Sequence, residues 1–135
     1  MKLFEPRGRP LERRDQHLPQ QVEIEAYGNG GFRFGGMSHR GSILVLPSGV
    51  HGWEVAVAAD ITAASLALAL DEADKIDMLL IGTGRDLVPL ARDAADAFRS
   101  RSLKFEVMST GAAIRLFNVM LGERRRFATA LLAVE

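Results

Sequence analysis

A chain of 135 residues, 47% hydrophobic and 25% charged, suits one globular core, and two independent cores would be unusual at this length. Its 17 basic and 17 acidic side chains balance, so no overall field draws it to nucleic acid or to an anionic membrane. The absence of cysteine removes disulfides, thiolate metal sites and a cysteine nucleophile, and fits a reducing compartment.

Met1-Lys2-Leu3-Phe4-Glu5-Pro6 is not followed by the apolar core of a signal peptide. No apolar run approaches the roughly 18 residues that a membrane span needs, and the expected address is the cytoplasm. Residues 1–21 carry Arg7, Arg9, Arg13 and Arg14 among Pro6, Pro10 and Pro19 without a hydrophobic period. This predicts an irregular arm over 1–21 and a single domain over 22–135. The arm reads as an extended terminus lying on the domain or as a docking arm for an acidic partner; loose termini are common, which favours the first.

From Val22 the pattern is β. Val22, Ile24 and Ala26 alternate with Glu23 and Glu25, Gly28-Asn29-Gly30-Gly31 makes a turn, and Phe32 and Phe34 flank Arg33. Ile43-Leu44-Val45-Leu46 is a buried strand that Pro47-Ser48-Gly49 turns into another, through Trp53, Val55 and Val57. The first half is a set of hairpins.

The period then changes. Leu66, Ala69, Leu70 and Ala73 fall at helical spacing after Thr62, a natural N-cap. Met78-Leu79-Leu80-Ile81 is an unbroken apolar strand, as burial on both faces requires. Leu87, Leu90, Ala91, Ala94, Ala95 and Phe98 form a second helical stripe. Leu103, Phe105 and Val107 alternate with Lys104 and Glu106, the mark of a half-exposed strand near a sheet edge. Ala113, Leu116, Phe117, Met120 and Leu121 give a third helix, and residues 127–132 a last strand of little charge that need not be parallel. Strand, helix, strand, helix, strand from Met78 onward predicts an α/β fold with helices on a partly parallel sheet. The segment between Ile81 and Leu103 is long enough for a parallel crossover.

The most informative local feature is Gly82-Thr83-Gly84-Arg85-Asp86, at the end of a buried strand and, on this reading, at the start of a helix. Ligands of open α/β sheets favour this edge, where helix N-termini attract anions. If the strand of Leu103 to Val107 is parallel, Ser109-Thr110-Gly111 opens its helix at the same edge. A phosphate or carboxylate would then bind near Thr83, Gly84 and Thr110, with Arg85 close by. Against this, the run lacks a third glycine in dinucleotide register and a Walker lysine. Glycines at such bends usually serve geometry, while Ser, Thr and Asp usually cap.

On the third helix Arg115 and Asn118 lie off the main stripe, and a mid-helix Asn needs a reason: a buried backbone group or a partner. Ile114 and Val119 also lie off it, so the helix is deeply buried or covered by another chain, burial within the monomer being favoured. His17, His39 and His51 do not form a ligand set, and no metal or cofactor is expected. His51 with Glu54 or Asp60 is a conceivable acid–base pair, but a solvent-facing histidine on a hairpin is the commoner case. No serine sits in a G-x-S-x-G elbow, and no catalytic residue is assigned. Asp71, Glu72 and Asp74 near a helix end read as solvated. Arg124-Arg125-Arg126 offsets a helix dipole, with a surplus suited to an acidic protein surface. Nucleic acid is disfavoured because no aromatic platform interleaves the run. Trp53 reads as core, with an exposed anchor as the alternative.

Read together, Met78-Leu79-Leu80-Ile81-Gly82-Thr83-Gly84, Val107-Met108-Ser109-Thr110-Gly111-Ala112-Ala113, and Arg115 with Phe117-Asn118-Val119-Met120-Leu121 and Glu123-Arg124-Arg125 carry a resemblance. The chain resembles, over about residues 22–134, the small bacterial relatives of the mitochondrial NADH:ubiquinone oxidoreductase (complex I) assembly factor 3, a domain family of unknown function. It departs from the pattern in Phe117, where Tyr is frequent, and in Met120 intervening before Leu121. The resemblance implies a three-layer α/β fold with a mixed central β-sheet flanked by helices and a small β-layer of N-terminal hairpins. It also implies a non-enzymatic assembly role in the mitochondrial members, and marks Gly82, Thr83, Gly84, Thr110, Asn118 and Glu123.

Two functions follow as expectations. The first is a protein-binding module that helps a respiratory, complex I-like membrane complex assemble, reaching the inner membrane through its partner. Ile114, Arg115, Asn118, Val119 and Glu123 are its candidate partner residues. The second is a small anion- or nucleotide-binding protein, or an enzyme, with Gly82, Thr83, Gly84, Arg85, Ser109, Thr110 and Gly111 as ligand residues. The pattern leaves the oligomeric state open.

Overall fold

The computed structural model describes residues 16–135. The strands of the first half are β1 (Gln16–Leu18), β2 (Ile24–Gly28), β3 (Gly31–Phe34), β4 (Met37–Arg40), β5 (Ser42–Leu46) and β6 (Gly49–Trp53). The second half adds α1 (Ala67–Asp71), β7 (Met78–Gly82), α2 (Arg92–Ser100), β8 (Phe105–Met108), α3 (Thr110–Gly122) and β9 (Phe127–Leu131). Among the described residues these strands form a six-stranded sheet in the order β1-β6-β5-β9-β7-β8 and a three-stranded sheet β2-β3-β4. β7 runs parallel to both β8 and β9, whereas β9 is antiparallel to β5. β9 is the seam between the parallel and antiparallel halves of a mixed sheet.

The side-chain period of two sorts the central sheet into two cores. Leu44, Leu46, Leu79, Ile81, Ala128 and Ala130 face one way, packing with Leu66, Leu70 and Phe98 of the α1 and α2 layer. Ile43, Val45, Leu80 and Leu131 face the other, packing with Ala113, Ile114 and Phe117 of α3 and with Phe32 and Phe34 of the small sheet. Each fully buried aliphatic side chain contributes about 1.5–3 kcal/mol by leaving water. The result is three layers: α1 and α2, the mixed sheet, and α3 beside the small antiparallel sheet. β9 reads as uncharged because both its faces are covered. Thr129 is fully buried there, and its hydroxyl donates to the Leu80 carbonyl (2.9 Å).

Several expectations are corrected. Residues 16–18, read as part of an irregular arm, form an edge strand paired with β6; the remaining arm residues, 1–15, lie outside the described ones. Ala26 is exposed rather than inward, because β2 shifts register between Ile24 and Ala26 and the alternation inverts. β6 stops at Trp53, which is buried and donates its indole N–H to the Ser65 carbonyl (2.7 Å), and Val57 is exposed. The first helical stretch is real but broken into turns of 3-10 helix around the five residues of α1. Thr62 and Ser65 cap it reciprocally, each side-chain oxygen accepting from the other's backbone N–H (3.1 and 2.9 Å). α2 starts only at Arg92, so Leu87 lies exposed in a loop and Leu90 is partly packed there. Pro89 accounts for this, since a residue that precedes proline is disfavoured in helical conformation.

His51 does not face solvent. Every residue of β6 is buried, as a strand between two neighbours in a covered sheet must be. The His51 Nε2 lies 2.8 Å from the Ser48 hydroxyl, which donates to Glu72 (2.5 Å) while the Ser48 N–H donates to the other carboxylate oxygen (2.9 Å). Glu72 is therefore a clamp that ties the β5–β6 turn to the end of α1, not a solvated acid.

The arginine run closes α3. Arg124 adopts the left-handed conformation (φ 60°), its N–H bonds the Leu121 carbonyl and the Arg125 N–H reaches the Met120 carbonyl. That pair of bonds is the Schellman stop, whose left-handed position glycine fills best. Arg126 makes a double contact with Asp77 (2.8 and 3.3 Å), and this bond holds the exposed Asp77 carboxyl below its usual range. Any stability it adds is present above the ordinary carboxyl pKa and is lost as pH falls through the lowered one; exposure keeps it small. Arg124→Gly relieves the left-handed side chain and is expected to raise stability by about 0.5–1 kcal/mol in urea unfolding.

Candidate functional site

The end of β7 and the start of α3 meet at contact distance. A Cβ added to Gly82 would stand 2.8 Å from the Thr110 Cα, so only glycine lets the strand end approach the helix. Thr110 is fully buried and joins three segments. Its hydroxyl accepts from the Gly84 N–H (2.9 Å) and donates to the Leu132 carbonyl (2.8 Å), while its own N–H bonds the Gly84 carbonyl (2.8 Å). Gly84 has φ +104°, a conformation that side chains rarely adopt, and it turns the chain out of the sheet. The adjoining loop is organised by Thr83, whose hydroxyl donates to the Asp86 carbonyl (2.6 Å) and accepts from the Val88 N–H (2.9 Å).

The two bends named in the sequence are thus brought together, but not as two helix N-termini. The segment 82–86 leads into a loop and α2 begins only at Arg92, so the helix start that meets the end of β7 is that of α3. The N–H groups that would greet an anion are largely engaged within the chain. Thr83 N–H bonds the Met108 carbonyl (2.9 Å), Gly84 N–H and Thr110 N–H bond each other's residue, and Ala112 N–H bonds the Ser109 hydroxyl (3.3 Å). Arg85 is exposed on the loop. Over Gly111 lies Tyr27: a Cβ there would meet its hydroxyl, with Arg115 Nη1 3.6 Å away. The sequence reading missed Tyr27. The register shift in β2 brings it opposite Phe32, on the face toward α3, and the alternation alone hides that shift.

The candidate partner residues divide. Ile114 is buried in the core under the small sheet. Asn118 is used internally: its Oδ1 accepts from the Ile24 N–H and its Nδ2 donates to the Ile24 carbonyl, both at 2.9 Å. One side chain thereby mimics a neighbouring strand and pins the start of β2 to α3. Arg115, Val119 and Glu123 are exposed, Val119 by 53%. Among the described residues no group of His, Asp or Glu is arranged to hold a metal ion, and no helix is long and apolar enough to cross a membrane.

Against known proteins, residues 24–132 match the family described as a protein of unknown function (DUF498/DUF598). The chain belongs to this family. It is 37% identical over 111 residues to an uncharacterized protein of Rhodobacter capsulatus, covering 82% of this chain and 84% of that one. It is 32% identical over 115 residues to the NADH dehydrogenase [ubiquinone] 1 alpha subcomplex assembly factor 3 of Mus musculus, covering 85% of this chain. The match spans 62% of the mouse factor's length. A crystal structure of an outer membrane protein from Bartonella henselae superposes with a TM-score of 0.85 at 45% identity, over 88% of this chain and all of that one (100%). The Rpa2829 protein of Rhodopseudomonas palustris gives 0.77 at 47% identity, over 87% of each chain. The resemblance carried by the sequence motifs and the three-layer fold it implied are both established by these matches.

Thr110→Val keeps the shape but leaves the Gly84 N–H and the Leu132 carbonyl without their partner. It is expected to cost about 1–3 kcal/mol, measured by chemical denaturation. Asn118→Leu removes both bonds to Ile24 and should cost a similar amount, about 1–3 kcal/mol, with amide exchange rising first in β2.

Proposed function

We propose that this chain is a non-enzymatic protein-binding module that assists the assembly of a respiratory, complex I-like membrane complex. In this reading it meets the membrane only through its partner. The observation that carries it is the similarity to assembly factor 3, which extends over most of this chain. The bend at Gly82 and Thr110 supports the same side of the choice. Its hydroxyls and N–H groups bond one another, so it holds the fold together rather than waiting for a ligand. The alternative, a small anion or nucleotide held at residues 82–86, would have to displace those bonds.

A cell lacking this chain is expected to accumulate incomplete complex I-like assemblies, read by native gels. A tagged copy should recover subunits of that complex from gently solubilised membranes. Normal assembly without the chain, together with no respiratory subunit on the tagged copy, would overturn the reading. Inorganic phosphate titrated into labelled protein is expected to leave the amides of Thr83, Gly84 and Thr110 unmoved; saturable shifts there would favour the ligand alternative.

A further inference from the structure

The outer face of the small sheet has an arrangement that the fold does not need. The register places Ala26, Arg33 and Ser38 in one cross-strand row and Gly28, Gly31 and Arg40 in the next, all on the face away from the core. The opposite face, with Ile24, Phe32 and Phe34, fills the core beneath it. Two of the six outward positions are glycine: Gly28 is open, whereas the backbone of β4 fills the space that a Cβ on Gly31 would take, and Arg33 and Arg40 rise beside them. These residues border a shallow recess of about 290 Å³ together with Asn29, Tyr27, Phe32 and His39.

We propose that this face docks an extended acidic segment of a partner protein, in which carboxylates at alternate positions engage Arg33 and Arg40. The inference rests on the protein-binding reading above and names the chemistry of the partner. Arg33 and Arg40 occupy diagonal cross-strand positions, about 7–8 Å apart at the backbone. Residues two apart on an extended chain lie about 6.5 Å apart and point to the same side, so alternate carboxylates match that spacing. Arginine's planar fork suits carboxylates, and the Ser38 hydroxyl at 2.9 Å steadies the Arg33 guanidinium. At Gly28 an added Cβ would meet nothing within 4 Å, which lets a second backbone lie close. Glu135 and Arg40 both lie within 4 Å of where a Cβ on Gly30 would stand, and Glu135 is the residue an incoming carboxylate would displace.

The test uses the full chain, isotopically labelled, and a synthetic peptide alternating Glu and Thr. The peptide is expected to shift the amides of Gly28, Gly31, Arg33, Ser38 and Arg40 saturably. Binding should weaken by roughly tenfold or more in the double variant Arg33→Gln/Arg40→Gln, while Arg92→Gln on α2 changes it little. The inference is overturned if those amides stay still, if the Gln-for-Glu peptide binds equally, or if an oligothymidylate strand produces the same shifts with higher affinity. Membrane pull-down with the double variant separates the two readings. Undiminished recovery of respiratory subunits would sink this inference and leave the module standing, whereas no recovery by the unaltered chain would sink the module whatever the peptide does.

Discussion

The closeness of Gly82 to Thr110 is the constraint on which the architecture turns. β7 has parallel neighbours on both sides, and α3 must cross over it from the end of β8 to reach β9. That path requires the helix to start directly against the end of β7, closer than any side chain at position 82 would allow. Glycine opens the space and the Thr110 hydroxyl fills it with bonds, one to the chain leaving β7 and one to the chain leaving β9. Two strand ends and a helix start are fixed by one buried side chain. Buried hydroxyls are tolerated only when so bonded, and a fully satisfied network of this kind specifies a single arrangement.

α3 is held as firmly on its other side. It packs on the central sheet through Ala113, Ile114 and Phe117, and grips the small sheet through Asn118 on Ile24. The C-terminal residues close the same gap from below, since Gly30 N–H bonds the Val134 carbonyl and Ala133 N–H bonds the Ser42 hydroxyl. One face of the three-stranded sheet lends Phe32 and Phe34 to the core, the apolar burial that stabilises so small a sheet, and the other face is left exposed.

What could be read in the sequence was what period and burial decide locally. The buried strands at 43–46 and 78–81, the stripe of α3 and the half-exposed β8 all follow from side chains facing a single environment. What could not be read depended on contacts distant in sequence. Leu87 and Leu90 keep helical spacing, yet Pro89 and the Thr83 hydroxyl hold that segment as a loop. His51 gives no sign of its depth, because β6 is an interior strand only through its pairing with β1, an edge strand too short to announce itself. The glycine bend carried the signal of a ligand site and that of a tight crossing equally. Only the bonding of its N–H groups separates the two.

The placement of exposed groups completes the functional argument. Net charge is zero, and most acids and bases alike lie exposed. Glu72 holds a turn and Asp77 pairs Arg126, while Arg33, Arg40, Arg85 and Arg115 are exposed on the small sheet, the loop after β7 and α3. Of the large apolar side chains left exposed among the described residues, Tyr27, Leu87, Val88 and Val119 lie on β2, on that same loop and on α3, with only Val57 elsewhere. Arginine and exposed apolar side chains are enriched in surfaces that bind proteins, which supports the proposed binding role. A small-molecule site would instead gather its polar groups inward around an enclosed space. Here the inward polar groups satisfy one another, and the free ones face out.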